Sequence, residues 1–307
     1  YTFSSTANSF MLFGARPVFV DINKDNLNID LEDLKKKITK RTKAIMVADI
    51  FGQSSDINAI NKIAKKYSLK VICDSAQAIG SKVGKKFTGT LADLGGFSFN
   101  YHKHIHTGEG GVVLTNNKNL YRRLCLIRNH GEAVVSNKSL NNILGYNFRL
   151  GEIEAAIGIE QLKKLNNLII KRIKVCQYLT KKLSNLPFLK LPTIKNDRSN
   201  VYYLYPMQLD LKKIKYSRKF IVDKLKKEGV PGLIEGYVNI HKLPIFKKKV
   251  AYGKKNFPWS LNKKYKKDYS FKDLYNTELL HNKTFFAIEV CLYDLSLKDV
   301  EIISKKF

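Results

Sequence analysis

The sequence has 307 residues, of which 44 % are hydrophobic, and this length and composition suit a globular protein with room for two domains. No apolar run reaches the ~18 residues that a membrane-spanning helix needs, so the sequence predicts no membrane partner. The net charge of +29 admits a basic nucleic-acid-binding protein, but only nine of the 55 basic residues are arginine and the lysines are spread along the chain, which favours a solvated surface and no nucleic-acid partner.

Short apolar runs alternate with amphipathic segments in the first half of the chain. The apolar runs predict strands at 17–22, 43–51, 69–74, 94–100 and 110–116, and we expect those at 17–22 and 69–74 to be buried. The amphipathic segments predict helices at 30–38 and 56–67, the first of them capped by Asp30. This β–α–β order predicts an α/β fold with a mostly parallel central sheet flanked by helices.

The second half begins with a long helical pattern at 150–183, and Pro187 and Pro192 bracket the break that follows it. It continues with a predicted strand at 201–209, a helix at 217–229, a strand at 285–292 and a final helix capped by Ser296. These elements predict a smaller C-terminal α+β domain. We therefore divide the chain into a large domain at 1–165 and a small domain at 166–307.

The segment SFNYHKHIHTGEGG, residues 98–111, carries the residues most suited to chemistry. Three alternating histidines, His102, His104 and His106, would share one face of a strand, but no HxHxD or HExxH pattern accompanies them and we expect no metal. The glycines precede a strand-like run rather than a helix, which indicates a tight turn and not a phosphate loop. The remaining hypothesis is a reactive lysine, Lys103.

Asp74 ends the predicted strand at 69–74, where α/β folds place their ligands. Its carboxylate could cap the following helix or face a protonated heterocycle, and the sequence pattern alone leaves both interpretations open.

Ordered motifs along the N-terminal half resemble those of the DegT/StrS family of sugar aminotransferases, which use pyridoxal phosphate (PLP) on a fold-type-I aminotransferase scaffold. In chain order the motifs are YTF, GARPVFVDI, ITKRTKAIMV, FGQ, ICDSAQAIG and FSFNYHKHIHTGEGG, followed by RNHG and GYNFRLGEIEAAIGIEQL. The match is continuous over the large domain and looser toward the C-terminus.

The resemblance implies a role for several residues. Lys103 would condense with the PLP aldehyde and later move a proton between substrate and cofactor. Asp74 would pair with the pyridine nitrogen, which lets the ring accept electrons. The other implied contacts are Gln77 on the ring's 3-oxygen, Ser98 on the phosphate, Phe3 stacked on the ring, and Asn147 on the phosphate of the neighbouring subunit in a homodimer.

The function implied by the resemblance is transfer of an amino group, from glutamate, to a nucleotide-linked keto sugar in surface-polysaccharide biosynthesis. The alternative within the family is a deoxysugar dehydratase, in which histidine replaces the lysine, so Lys103 favours aminotransfer. We expect the segment 235–246 to help shape the sugar pocket. The family's phosphate-binding Gly-Thr turn lies upstream of YTF, so we expect the natural chain to start several tens of residues before Tyr1.

The four cysteines lie far apart and form no CxxC pair, which indicates neither a zinc site nor a disulfide framework. A cytoplasmic location fits this pattern.

Overall fold

The computed structural model describes residues 1–132, 143–253, 255–262 and 273–307. The strands are β1 (Ala44–Ala48), β2 (Lys70–Asp74), β3 (Lys82–Val83), β4 (Lys86–Phe87), β5 (Leu94–Ser98), β6 (Gly111–Leu114), β7 (Leu189–Lys190), β8 (Tyr205–Leu209), β9 (Leu233–Glu235) and β10 (Phe285–Ile288). The α-helices are α1 (Ser5–Met11), α2 (Leu31–Lys37), α3 (Ile57–Lys66), α4 (Lys118–Arg128), α5 (Glu152–Leu183), α6 (Arg218–Lys227), α7 (Pro244–Lys247), α8 (Tyr275–Leu279) and α9 (Leu297–Ser304). Shorter helical turns occur at Ile50–Gly52, Ile240–Lys242, Trp259–Asn262 and Leu280–Thr284.

The first sheet has the strand order β1-β2-β5-β6. β1, β2 and β5 run parallel, with Ala48 opposite Asp74 and Asp74 opposite Gly96, while β6 is antiparallel to β5. The carboxyl ends of the three parallel strands therefore meet at one edge of the sheet. This sheet, with helices packed on it, confirms the predicted α/β fold class.

The apolar stripe of α3 explains how that sheet is covered. Ile57, Ile60 and Ile63 recur at helical spacing and pack against Val47 and Val71 of the sheet. The cap predicted for α2 also forms, because the Asp30 side chain accepts a hydrogen bond from the Asp33 amide.

The second sheet is antiparallel, with the order β7-β8-β10-β9. It is covered by α6, α9 and the C-terminal half of α5, whose residues Val175, Leu179 and Leu183 are buried in its core. Earlier in the same helix, Leu165 and Leu168 pack against Phe99 and Ile105 beside the first sheet. One continuous helix thus contributes to both cores. Within the described residues, no helix combines the length and hydrophobicity needed to cross a membrane.

The strand predicted at 17–22 is wrong. This segment forms a single isolated bridge, between Ile22 and Ile29, and Val18 is exposed. Its backbone position is fixed by the buried Asp21 carboxylate, which accepts hydrogen bonds from the amides of Asn276 and Thr277 at the start of α8. Contacts with a helix more than 250 residues away replace the strand ladder that the apolar pattern predicts.

Gly95 sits in β5 where the chain leaves no room for a side chain. A Cβ atom there would lie 2.0 Å from the carbonyl oxygen of Gly89, a backbone atom that cannot rotate away. We expect Gly95→Ala to lower the free energy of unfolding by roughly 2–4 kcal/mol, because β5, which ends at Ser98, must shift. Urea unfolding monitored by circular dichroism measures this change.

Gly96→Ala is the matched control, since its added Cβ would lie 3.9 Å from the nearest heavy atom, the Cys73 carbonyl oxygen. Equal losses of stability in the two variants would contradict this account of Gly95.

Candidate active site

A cavity of about 470 Å³ opens at the carboxyl ends of the parallel strands, and this volume is typical of a small-molecule site. One wall comes from the first sheet and the turn after β5, and it includes Asp74 and Lys103. The other wall belongs to the second sheet and its loops, including Tyr203, Tyr237 and Glu289. Any ligand held here would contact both halves of the molecule.

Lys103 lies in the turn between β5 and β6, where its backbone amide donates to the Asn100 carbonyl at 3.0 Å. Its Nζ atom stands 4.7 Å from the centre of the Tyr203 ring, a cation–π contact that holds the amine at the cavity wall. Burial lowers the pKa of Lys103, while the negative charge of Asp74 acts in the opposite direction. A larger fraction of the amine is therefore neutral near pH 7 than for an exposed lysine.

Asp74 is the last residue of β2 and lines the same cavity. One carboxylate oxygen accepts a hydrogen bond from Thr6 Oγ1 at 2.6 Å, and the other accepts from the Ala76 amide at 3.2 Å. The amide contact closes a local turn, but the interpretation of Asp74 as a helix cap is wrong, because the next element in the chain is β3 and not a helix. The Thr6 contact orients the carboxylate at the cavity.

A second carboxylate, Asp49, follows β1 beside Asp74. It accepts hydrogen bonds from Ser75 Oγ at 2.6 Å and from the Ser55 amide at 2.7 Å. Burial raises the pKa of Asp49 to about 6, and the neighbouring charge of Asp74 adds to the effect. This carboxylate is held firmly within the wall by its own partners.

The other predicted cofactor residues divide into two groups. Gln77, Ser98 and Phe3 line the cavity together with Lys103 and Asp74. The Gln77 amide is held at both ends, because Oε1 accepts from the Phe51 amide at 2.9 Å and Nε2 donates to Tyr237 Oη at 2.7 Å. Five of the six predicted residues are thus gathered around one space.

Asn147 is the sixth and lies elsewhere. It is exposed and forms an isolated bridge with Asn129, away from the residues that line the cavity. Its predicted contact with the phosphate in a neighbouring subunit stays a prediction.

The three histidines do not share one face, because they lie in a turn rather than on a strand. His102 lines the cavity, His104 is buried, and His106 is exposed. His104 Nε2 lies 3.0 Å from the Val201 carbonyl oxygen, to which it donates. Within the described residues no group of three or more His, Cys, Asp or Glu side chains could hold a metal ion.

Burial lowers the pKa of His104 to about 3, and the positive charge of Arg172 acts in the same direction. The ring stays neutral in the folded protein but takes up a proton near pH ~6.5 once unfolded, so acid favours the unfolded chain. Between about pH 8 and pH 5 we expect the free energy of unfolding to fall by about 2 kcal/mol more in the wild type than in His104→Gln. The glutamine amide can still donate to Val201.

Urea unfolding of both proteins at the two pH values measures this difference. Identical pH dependences would show that His104 is protonated equally in the folded and unfolded states.

Several residues in the cavity or beside it escape sequence reasoning. Thr6 and Tyr203 belong to no motif, and nothing local marks them as partners of Asp74 and Lys103. Tyr237 lies in the segment 235–246 that we expected to shape the pocket, although its bond to Gln77 could not be foreseen. Glu289 carried a usable signal, since it is a charged residue within the apolar run FFAIEVCL.

The fold and the cavity define a class of protein. A half-buried lysine that shares a cavity with an aspartate at the carboxyl ends of parallel strands is the arrangement of a lysine-dependent enzyme on an aminotransferase scaffold.

The model of the DegT/DnrJ/EryC1/StrS aminotransferase family matches residues 1–267, and the chain belongs to that family. The spore coat polysaccharide biosynthesis protein SpsC of Bacillus subtilis is 32 % identical over 270 residues, which cover 85 % of this chain and 69 % of that protein. The UDP-4-amino-4,6-dideoxy-N-acetyl-beta-L-altrosamine transaminase of Campylobacter jejuni is 37 % identical over 214 residues, 68 % of this chain and 56 % of that enzyme.

Among solved structures, the Escherichia coli GDP-4-keto-6-deoxy-D-mannose-3-dehydratase with bound hydrated PLP aligns with a TM-score of 0.79 at 27 % identity. The alignment covers 100 % of this chain and 77 % of that one. The resemblance to the DegT/StrS family is thus confirmed, while the match spans little more than half of the Campylobacter transaminase, at 56 %.

Proposed function

We propose that the protein is a PLP-dependent sugar aminotransferase that moves an amino group from glutamate to a nucleotide-linked keto sugar. The observation that carries the proposal is that Lys103 and Asp74 line one cavity at the carboxyl ends of the parallel strands, where burial lowers the pKa of Lys103 and the charge of Asp74 opposes this shift. The names of the Campylobacter transaminase and of SpsC support an amino-sugar product for a surface polysaccharide. Four unpaired cysteines fit a reducing cytoplasm as the location.

The functional groups that line the cavity fit those of PLP. Lys103 offers an amine for the aldehyde, Asp74 a carboxylate for a protonated ring nitrogen, and Ser98 a hydroxyl for a phosphate. Gln77 keeps one amide hydrogen available for the ring's 3-oxygen, since its hydrogen bond to Tyr237 uses the other. When bound, PLP supplies an aldehyde carbon that takes up the amino group and a ring that stabilises negative charge at the substrate carbon.

The chain's own residues supply positioning and proton transfer. Lys103, whose pKa burial lowers, would take a proton from the substrate carbon and later return it. Asp74, oriented by Thr6, would keep a bound ring nitrogen protonated. The aromatic side chain of Phe3, on the same cavity, would pack against the bound ring and limit the access of water.

We also propose a homodimer that shares its active sites. The rings of Tyr146 and Phe148, on either side of Asn147, are exposed and stack with centroids 5.0 Å apart, and Phe13 contacts Tyr146. Ile153 nearby is 76 % exposed. An exposed apolar surface of this kind marks a protein–protein contact, and it would carry Asn147 toward the cofactor of a second copy.

The experiment that tests the function uses the protein expressed from its whole reading frame and loaded with PLP. It is incubated with glutamate and a panel of nucleotide-linked keto sugars, and the products are identified by mass spectrometry. An amino sugar supports the proposal, whereas a deoxysugar without a new amino group would assign the protein to the dehydratases. The mass of the same preparation in solution tests the dimer.

A further inference from the structure

Glu289 is a carboxylate on the cavity wall that the second sheet contributes. It comes directly after β10, the strand that pairs with both β8 and β9. Its backbone amide donates to the Gly232 carbonyl at 2.9 Å, which fixes the point from which the side chain departs. The backbone contact therefore fixes where the Glu289 side chain enters the cavity.

No hydrogen bond or ion pair engages the Glu289 side chain within the described ranges, whereas Asp49 and Asp74 both have partners. The Glu289 side chain is half-buried, and this burial raises its pKa. A carboxylate on a cavity wall with no protein partner can accept a hydrogen bond from a ligand in the cavity.

Lys103 is not its counter-ion, because the Lys103 amine contacts the Tyr203 ring rather than this carboxylate. Lys103 and Asp74 stand on the wall that the first sheet contributes, whereas Glu289 stands on the wall of the second sheet. A large substrate that fills the cavity would contact both walls.

We propose that Glu289 accepts a hydrogen bond from a hydroxyl or amide N–H group of the sugar, and thereby favours the sugar over the dicarboxylate that uses the same cavity. This inference rests on the function proposed above. A keto sugar presents several hydrogen-bond donors, whereas glutamate brings two carboxylates that the Glu289 charge repels. Among the described residues that line the cavity, Lys103 is the sole lysine or arginine, so nothing else there offsets that repulsion.

The test separates the two halves of the reaction in the PLP-loaded full-length enzyme. One single-turnover measurement follows amino transfer from glutamate, and the other follows transfer to the keto sugar. We expect Glu289→Ala to lower the second-order rate constant for amino transfer to the sugar by roughly tenfold or more, since a hydrogen bond to a charged group is lost. The value for glutamate should stay the same or rise. Glu289→Gln keeps an acceptor oxygen and should lie between the wild type and Glu289→Ala.

Calorimetric binding of the nucleotide sugar to each variant gives a readout that does not depend on turnover. Glu228→Gln, an exposed glutamate on the far end of α6, serves as the control. Equal losses in both half-reactions, or unchanged sugar binding and turnover in Glu289→Ala, would overturn the inference. Absence of amino-sugar product from the wild type would refute the proposed function instead, so the two failures are distinguishable.

Discussion

Lys103→Ala is expected to lose amino transfer by at least about a thousandfold, because the variant lacks both the amine that attaches PLP and the base that moves the substrate proton. The near-visible absorption band of the PLP-loaded protein should disappear with it. PLP titration followed by spectroscopy and the glutamate–keto sugar assay measure the two effects independently.

Lys219→Ala provides the control, since that lysine lies on α6 and pairs with Asp223 at the surface. It should retain both the absorption band and the activity. A Lys103→Ala protein that still takes up PLP with the wild-type spectrum and turns over would remove the basis of the proposed mechanism.

Asp74→Asn is the second change with a large expected effect. Asparagine can still accept the Thr6 hydrogen bond, but it carries no negative charge to hold a proton on the ring nitrogen. We expect kcat to fall by about a hundredfold or more, with a smaller change in PLP affinity.

The same substitution should act on the cofactor-free protein. Because the Asp74 charge raises the pKa of Lys103, its removal should lower that pKa further, and the amine should react with a small aldehyde at lower pH than in the wild type. Asp223→Asn, at an exposed ion pair on α6, should change neither quantity. An unchanged Lys103 titration in Asp74→Asn would mean that the two groups do not interact.

The sequence was sufficient where a feature depends on neighbouring residues. Helix α2 follows from its Asp30 cap and α3 from its apolar spacing, and β2 with Asp74 at its end follows from a short apolar run. Lys103 and its companions came from ordered motifs, each of which is local. The structure then shows that these separate segments meet at one edge of the sheet.

Long-range contacts account for what could not be predicted. Thr6 reaches Asp74 across 68 residues, and Gln77 reaches Tyr237 across 160. Such pairs depend on how the two sheets face each other, and the local periodicity of apolar residues does not encode this arrangement. The wrong strand at 17–22 has the same origin, because the partners that hold Asp21 lie in α8.

The continuity of α5 has a mechanical consequence. Leu165 and Leu168 pack in the core beside the first sheet, and Leu179 and Leu183 pack in the core of the second sheet. The helix has no break between these two pairs of residues. A continuous helix that is packed in both cores resists bending between them. The two walls of the cavity therefore cannot move apart freely to admit a larger molecule. Tolerance for sugars of different size must therefore come from rotamer changes and loop adjustments at the rim of the cleft.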